Sequence, residues 1–264
     1  MGELSLIGMG LHDENGLSLR GLNTARNADT LYAEFYTSIM PGFSVTRLQR
    51  LVGKQIKILT RKDLEEDAER TILSEAKTTR VAILTPGDPM SATTHVGLVL
   101  SARRLGIPTA LIHSASIVTA AAGVTGLEVY KFGRTVTIPS PRTNPLPESV
   151  YEFIRDNLRI GLHTLALLDI QDGELTIPEA IRILFKLENI KNAGIVTDDT
   201  LMVALARVEA PDCIVKADKA GNLVRADFGK PPYSIILPGK LHFVEVEALQ
   251  LMAGASRALL EAHR

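Results

Sequence analysis

The chain has 264 residues, enough for one large domain or two of ordinary size, and 45% of them are hydrophobic. A formal net charge of −1 at pH 7 argues against a protein that grips nucleic acid through a broad basic field. The single cysteine, Cys213, cannot form an internal disulfide, which fits a reducing compartment, and we predict that it is buried in a strand. No stretch approaches the ~20 apolar residues of a membrane span, so we expect a cytoplasmic protein.

In the first half of the chain, short apolar runs alternate with stretches of helical period. The predicted elements are, in chain order, a strand at 4–8, a helix at 17–28, strands at 31–35 and 56–59, a charged helix at 63–77, a strand at 81–85, a helix at 93–105 and a strand at 109–112. This alternation favours a mostly parallel sheet with right-handed crossovers.

The pattern changes between residues 126 and 147, where four prolines break any regular element. The predicted elements are then two short β runs within 129–138, a helix at 148–157, a strand at 164–170, a helix at 178–187, strands at 201–208, 213–217 and 234–237, and a long amphipathic helix at 243–262. We place a domain boundary near residue 114. The two domains are then an N-terminal α/β domain at 1–113 and a C-terminal α/β domain with a mixed sheet at 114–264.

The first candidate motif is Gly8-Met9-Gly10-Leu11, directly after the first predicted strand. Glycines there allow a tight turn and a close approach of a ligand to the main chain. A dinucleotide fingerprint needs a third glycine where this chain has Asp13, although Glu34 could serve as the ribose-binding acid. From these residues alone, an ordinary strand-to-loop turn is an equal alternative.

The second motif, residues 84–90, lies between a buried strand and a helix. Gly87 can adopt backbone angles closed to other residues, and Asp88 can cap the helix. Hydroxyls follow at Ser91 and nearby threonines, close to a helix N-terminus that favours an anion such as a carboxylate. A purely structural turn is the alternative, but the carboxyl end of a strand is the usual ligand edge of an α/β sheet.

Other polar groups are weaker candidates. His113 follows a strand, yet we predict structural roles for it and for the other histidines, whose spacing indicates no metal site. The acids of Thr197-Asp198-Asp199-Thr200 could share a proton or bind a cation, but a turn is the favoured interpretation. The sequence has no phosphate loop and no serine elbow.

Several strings point together to one family. They are Ile7-Gly8-Met9-Gly10-Leu11, Ala33-Glu34-Phe35-Tyr36-Thr37-Ser38, Thr85-Pro86-Gly87-Asp88-Pro89-Met90, Ala92-Thr93-Thr94-His95, Thr197-Asp198-Asp199-Thr200 and Pro238-Gly239-Lys240-Leu241-His242. With them the chain resembles, over essentially its whole length, the diphthine synthase family within the class III (tetrapyrrole-methylase-like) methyltransferases.

This resemblance implies two α/β domains with S-adenosyl-L-methionine in a cleft between them, and a homodimer. It implies repeated methylation of the amino group of a 3-amino-3-carboxypropyl histidine on translation elongation factor 2, a step of diphthamide biosynthesis. The cofactor contacts that it implies are Leu11, Asp88, Ser91, Ser116, Ile117, Leu168, Ala206 and Tyr233. Ser91 stands where an apolar residue is common in the family, and Tyr233 where a histidine often follows two prolines.

Two alternatives stay open. The first is a methyltransferase of the same fold that acts on a tetrapyrrole or corrinoid precursor. The second is a cofactor-binding module without turnover, against which the intact Gly87-Asp88-Pro89 loop argues. A neutral amine needs no dedicated base, so we assign no catalytic residue.

Overall fold

The structure, a computed structural model, describes residues 2–170 and 173–263. The chain divides into two compact units, Met1–Ile117 (unit 1) and Val118–Arg264 (unit 2). The predicted domain boundary lies four residues before this division. Within the described residues, no helix combines the length and the apolar character that crossing a membrane requires.

Unit 1 alternates strands and helices as its sequence pattern predicts. Its elements are β1 (Glu3–Gly8), α1 (Leu19–Asn27), β2 (Thr30–Glu34), α2 (Val45–Val52), β3 (Lys57–Leu59), α3 (Arg61–Glu65), α4 (Ile72–Ala76), β4 (Arg80–Thr85), α5 (Val96–Arg104) and β5 (Thr109–Ile112). The sheet has the order β3-β2-β4-β1-β5, and every pair in it is parallel. The prediction of a mostly parallel first sheet is therefore confirmed.

Side chains of the central strands pack on both faces of this sheet. In β4, Val81 and Ile83 join the cluster that contains residues of α3, α4 and α5, while Ala82 and Leu84 join the cluster that contains residues of α1 and α2. Fully burying one such branched side chain contributes about 1.5–3 kcal/mol. A strand covered on both faces reads as a continuous apolar run, which is why the sequence predicted it.

The prediction of a single helix at 63–77 is wrong. A capping box between Thr60 and Asp63 starts α3, which ends at Glu65, and α4 begins only at Ile72. Between them Thr71 has a φ of −109° and a ψ of −85°, outside the helical region, and this interrupts the helix just before α4. We did not predict α2, although Ser44 caps its start and Gly53 ends it in the left-handed conformation.

Helix α6 (Ile117–Thr125) begins at the division, and the remaining elements lie in unit 2. They are a 3-10 turn (Val129–Lys131), β6 (Val136–Ile138), α7 (Ser149–Arg159), β7 (Thr164–Leu168), α8 (Ile177–Lys191), β8 (Leu201–Ala206), β9 (Ile214–Lys219), α9 (Ala220–Leu223), β10 (Tyr233–Leu237), α10 (Phe243–Ala253) and α11 (Arg257–Glu261). The sheet has the order β6-β7-β10-β8-β9, with β6 and β7 parallel and the other pairs antiparallel. The predicted mixed sheet is confirmed.

Three predictions in unit 2 need correction. The first β run predicted within 129–138 is the 3-10 turn, because the Glu128 amide and the Lys131 ammonium are both held by the carboxylate of Glu245. The helix predicted at 243–262 is interrupted by Gly254, whose φ of 69° ends α10, and a new helix starts after it. Cys213 is half-buried and precedes β9 rather than lying inside a strand.

Candidate active site

Three loops of unit 1 meet at one edge of its sheet. They are the β1 loop (residues 9–16), the β4 loop (residues 86–95) and the β5 loop (residues 113–116), and each leaves the carboxyl end of its strand. Because β4, β1 and β5 are adjacent and parallel, these ends coincide. This edge is where α/β sheets usually bind ligands.

The β1 and β4 loops are joined by a pair of reciprocal hydrogen bonds. The Gly10 amide donates to the Gly87 carbonyl over 3.2 Å, and the Gly87 amide donates to the Gly10 carbonyl over 2.8 Å. Gly87 has a φ of 65°, which favours glycine. A Cβ at Gly8 would stand 2.5 Å from the Gly87 carbonyl oxygen, so the close approach of the two loops requires a glycine there.

Asp88 organises the β4 and β5 loops through its buried carboxylate. Oδ1 accepts from the Met90 amide over 2.9 Å and from the Ser91 hydroxyl over 3.3 Å. Oδ2 accepts from His113 Nδ1 over 2.8 Å and from the Ser114 amide over 3.2 Å. A carboxylate has about four acceptor positions, so bonds within the protein occupy all of those on Asp88.

The charge of Asp88 is stabilised by these donors. Burial alone would raise the pKa of this carboxyl group, but the Met90 amide, the His113 ring and the Ser114 amide outweigh it, and the pKa lies below its ordinary value. Asp88 is therefore ionised at neutral pH, and its four bonds hold the two loops in one arrangement.

The structure brings the five cofactor residues predicted in unit 1 to this edge. Leu11 lies half-buried in the β1 loop, and Asp88 and Ser91 lie in the β4 loop. Ser116 is buried at the end of the β5 loop, next to Ile117 at the start of α6.

The three cofactor residues predicted in unit 2 also share one edge of their own sheet. Ala206 ends β8 and pairs with Tyr233, the first residue of β10. Leu168 is the last residue of β7. The residue before it, Leu167, pairs with Ser234, which follows Tyr233 in β10. Leu168 and Ala206 are buried, and Tyr233 is half-buried.

Arg207 fixes this second edge. The sequence did not indicate a role for it. Its amide donates to the Pro232 carbonyl over 2.9 Å, so the ends of β8 and β10 are tied together. Its buried guanidinium donates to the Phe228 carbonyl over 2.7 Å and to Asp212 Oδ2 over 2.6 Å. Arg207 has a φ of 50°, which is unusual for a residue other than glycine, and the local sequence does not signal it.

Glu34 does not have the exposure that a ribose-binding acid needs. Its carboxylate is fully buried and accepts from the Tyr36 amide over 3.1 Å, from the Thr37 amide over 3.2 Å and from the Thr37 hydroxyl over 2.6 Å. The dinucleotide interpretation of the first motif therefore loses its acidic residue. The sequence indicated the string that contains Glu34, but it did not predict that the Glu34 side chain is buried.

A second buried carboxylate, Glu245, has a structural role in unit 2. It accepts from His163 Nε2 over 2.8 Å and from the His242 amide over 2.8 Å, and it also pairs with Lys131. Burial would raise the pKa of Glu245, but the bonds from His163, the His242 amide and Lys131 lower it to about 2. The structural role predicted for His163 agrees with this network.

The remaining sequence candidates behave as turns. The Thr197 amide donates to the Thr200 hydroxyl over 2.8 Å, and Asp199 forms an exposed ion pair with Lys219. Among the residues that the structure describes, no group of three or more His, Cys, Asp or Glu side chains could hold a metal ion.

Comparison with known proteins supplies an independent line of evidence. Residues 3–208 match the family model of the Tetrapyrrole (Corrin/Porphyrin) Methylases. The chain is 42% identical over 261 residues to a diphthine synthase of Methanothermobacter thermautotrophicus, with 98% of each chain covered. It is 44% identical over 253 residues to a diphthine synthase of Methanocella arvoryzae, covering 95% of this chain and 98% of that protein. A crystal structure of a diphthine synthase superposes with a TM-score of 0.90 at 37% identity, covering 98% of both chains.

Proposed function

We propose, from the premise that the chain belongs to the tetrapyrrole (corrin/porphyrin) methylase family, that it is the methyltransferase of the diphthine synthase step of diphthamide biosynthesis. The observation that carries the proposal is the end-to-end likeness to diphthine synthases, at 42% identity over 98% of both chains. The methyl donor would be S-adenosyl-L-methionine. The acceptor would be the amino group of a 3-amino-3-carboxypropyl histidine on translation elongation factor 2.

The loops of unit 1 fit such a cofactor. The position of a Cβ on Gly87 is open, with the Ala115 carbonyl oxygen 4.0 Å away as its nearest neighbour, so a ligand can approach the main chain there. The hydroxyl of Thr85, which ends β4, is buried without a hydrogen-bond partner among the described residues. Main-chain groups of Leu11, Ser116 and Ile117 would complete the contacts in unit 1, and Leu168, Ala206 and Tyr233 would contribute those in unit 2.

Within this proposal Asp88 orders the site rather than contacting the cofactor through its carboxylate. All four of its acceptor positions are occupied by Met90, Ser91, His113 and Ser114. The main chain on either side of Asp88 is thereby fixed in place before the ligand binds. Such preorganisation lowers the cost of ordering a loop on binding.

The acceptor needs only a neutral amine and correct placement. When bound, S-adenosyl-L-methionine supplies an electrophilic methyl group on its sulfonium. An α-amino group has a pKa of about 8, so deprotonation near neutral pH costs about 1–2 kcal/mol. Placement can lower a barrier by roughly 7–11 kcal/mol. We therefore assign the chain the roles of binding and orientation and name no general base.

A methyl-transfer assay with labelled S-adenosyl-L-methionine tests the proposal. The acceptor is elongation factor 2 that carries the 3-amino-3-carboxypropyl histidine, and unmodified elongation factor 2 is the control. Label on the modified protein alone is expected, and mass spectrometry gives the number of methyl groups. Label on a tetrapyrrole or corrinoid precursor, or cofactor binding without any transfer, would contradict the proposal.

We also propose that the enzyme is cytoplasmic, where it would meet a translation elongation factor, and that it is a homodimer. Large apolar side chains are exposed around Glu245 in unit 2, including Tyr130, Phe243 and Val244. A second copy that covered them would remove an apolar patch from water. Sedimentation of the wild type and of Tyr130→Asp would test this, with a dimer expected for the former and a monomer for the latter.

A further inference from the structure

Two of the sequence strings that indicated the family, residues 33–38 and 92–95, supply no proposed cofactor contact, and they meet in the core of unit 1. Glu34 lies at the end of β2, and His95 lies at the end of the β4 loop just before α5. Glu34 is completely buried and His95 is 3% exposed. His95 Nε2 lies 3.7 Å from Glu34 Oε1.

The His95 ring is hydrogen-bonded to the main chain of the β4 loop. Its Nδ1 lies 3.1 Å from the Pro89 carbonyl oxygen, and since a carbonyl only accepts, Nδ1 must carry the hydrogen. The Thr93 hydroxyl donates to the same carbonyl over 2.9 Å. Both lone pairs of the Pro89 carbonyl are thus engaged, one residue after Asp88.

The other ring nitrogen is left without a hydrogen-bond partner among the described residues. If the ring were neutral, with its hydrogen on Nδ1, Nε2 would present a bare lone pair to the Glu34 carboxylate in a buried position. That arrangement is repulsive, and burial strengthens the repulsion. One additional proton, on either Nε2 or the carboxyl group, converts the contact into an attraction.

We propose that Glu34 and His95 are positioning residues for methyl transfer, which share one proton and together fix the Pro89 carbonyl of the β4 loop. This inference rests on the proposed function only in assuming that the β4 loop binds the cofactor. Burial raises the pKa of Glu34, which agrees with a carboxyl group that holds a proton in common with a neighbour.

Two substitutions of Glu34 separate the hydrogen bond to His95 Nε2 from the space that the side chain fills. In Glu34→Gln the side-chain amide can donate to Nε2 permanently, so the dissociation constant of S-adenosylhomocysteine should stay within about threefold of the wild type. In Glu34→Leu no polar group stands beside Nε2 to share a proton with it, and the dissociation constant should rise about tenfold or more. Glu188→Gln is the matched control, because the carboxylate of Glu188 also accepts several main-chain amides but lies in unit 2. It should lower thermal stability without changing cofactor affinity.

Nitrogen NMR of 15N-histidine-labelled enzyme shows whether Nδ1 of His95 carries its hydrogen and whether Nε2 senses the Glu34 carboxyl group. At pH 7 we expect a protonated Nδ1 on His95, identified by the signal that is lost in His95→Asn, and a change in its Nε2 shift in Glu34→Leu. A wild-type Nδ1 without a proton, or equal cofactor affinity in Glu34→Leu and wild type, would overturn the proposal. Because these measurements use no acceptor, failure to methylate elongation factor 2 would count against the proposed function alone. If Glu34→Leu does not fold, the wild-type NMR signal and Glu34→Gln still decide.

Discussion

His113 Nδ1 lies 2.8 Å from Asp88 Oδ2 and joins the β5 loop to the β4 loop, although 25 positions separate the two residues. The histidine side chain is 67% exposed while the aspartate side chain is 7% exposed. The aspartate is therefore the fixed member of the pair, and its three other donors hold it there.

Asp88→Asn should weaken cofactor binding. The amide group of asparagine would face a donor at two of its positions, so at least one of the four bonds is lost and a donor is left unsatisfied. A cost of about 1–3 kcal/mol follows, equivalent to a roughly 5- to 150-fold rise in the dissociation constant of S-adenosylhomocysteine. Calorimetric titration measures it. His113→Asn should have a smaller effect, and an unchanged affinity in Asp88→Asn would contradict the assignment.

Gly8→Ala should disrupt the contact between the β1 and β4 loops. The new methyl group would stand 2.5 Å from the Gly87 carbonyl oxygen and 2.8 Å from the Ser114 side chain, so a loop must move. We expect a loss of about 1–3 kcal/mol in unfolding free energy and a weaker cofactor complex. Gly97→Ala in α5 is the matched control, because a Cβ there meets nothing within 4 Å. It should be neutral or stabilising by up to about 1 kcal/mol in urea unfolding.

Glu245→Gln should destabilise unit 2 by about 3 kcal/mol, since it leaves Lys131 and His163 with a neutral partner. The pH dependence checks the cause. The pKa of Glu245 is lowered to about 2 from 4.5, so its stabilising contribution is complete above pH 4.5 and is lost as the pH falls towards 2. The difference in unfolding free energy between wild type and variant should shrink over that interval. A difference that does not vary with pH would contradict the role of the charge.

Tyr233→His tests whether the side chain at this position matters to the cofactor. The tyrosine hydroxyl is already engaged with the Gly229 carbonyl, and Tyr233 pairs with Ala206 through its main chain. If the contact with the cofactor is a main-chain one, the dissociation constant should change by less than about threefold. A tenfold change in calorimetry would show that the side chain takes part.

The sequence predicted the strands of unit 1 well because the central ones are buried on both faces and read as apolar runs. It also predicted that the loops of the candidate site follow strand ends, and these ends share one edge because β4, β1 and β5 are adjacent and parallel. The helices were less predictable where the backbone angles of one residue interrupt them. Thr71, with a φ of −109° and a ψ of −85°, lies outside the helical region just before α4, and Gly254, with a φ of 69°, ends α10.

The buried polar pairs could not have been predicted from one sequence. His163 and Glu245 are 82 positions apart, and each looks like an ordinary surface residue in its own stretch of chain. Glu34 and His95 lie in two separate strings whose contact depends on the packing of β2 against β4. Their proximity is a property of the fold and leaves no periodic signal.

The reciprocal bonds between Gly10 and Gly87 also limit how this protein can change in evolution. Each loop reaches its partner glycine after a fixed number of residues from its strand, two beyond Gly8 in one case and two beyond Thr85 in the other. A one-residue insertion in either stretch would put a different residue in register and break the pair. Relatives should therefore keep the length of both stretches constant.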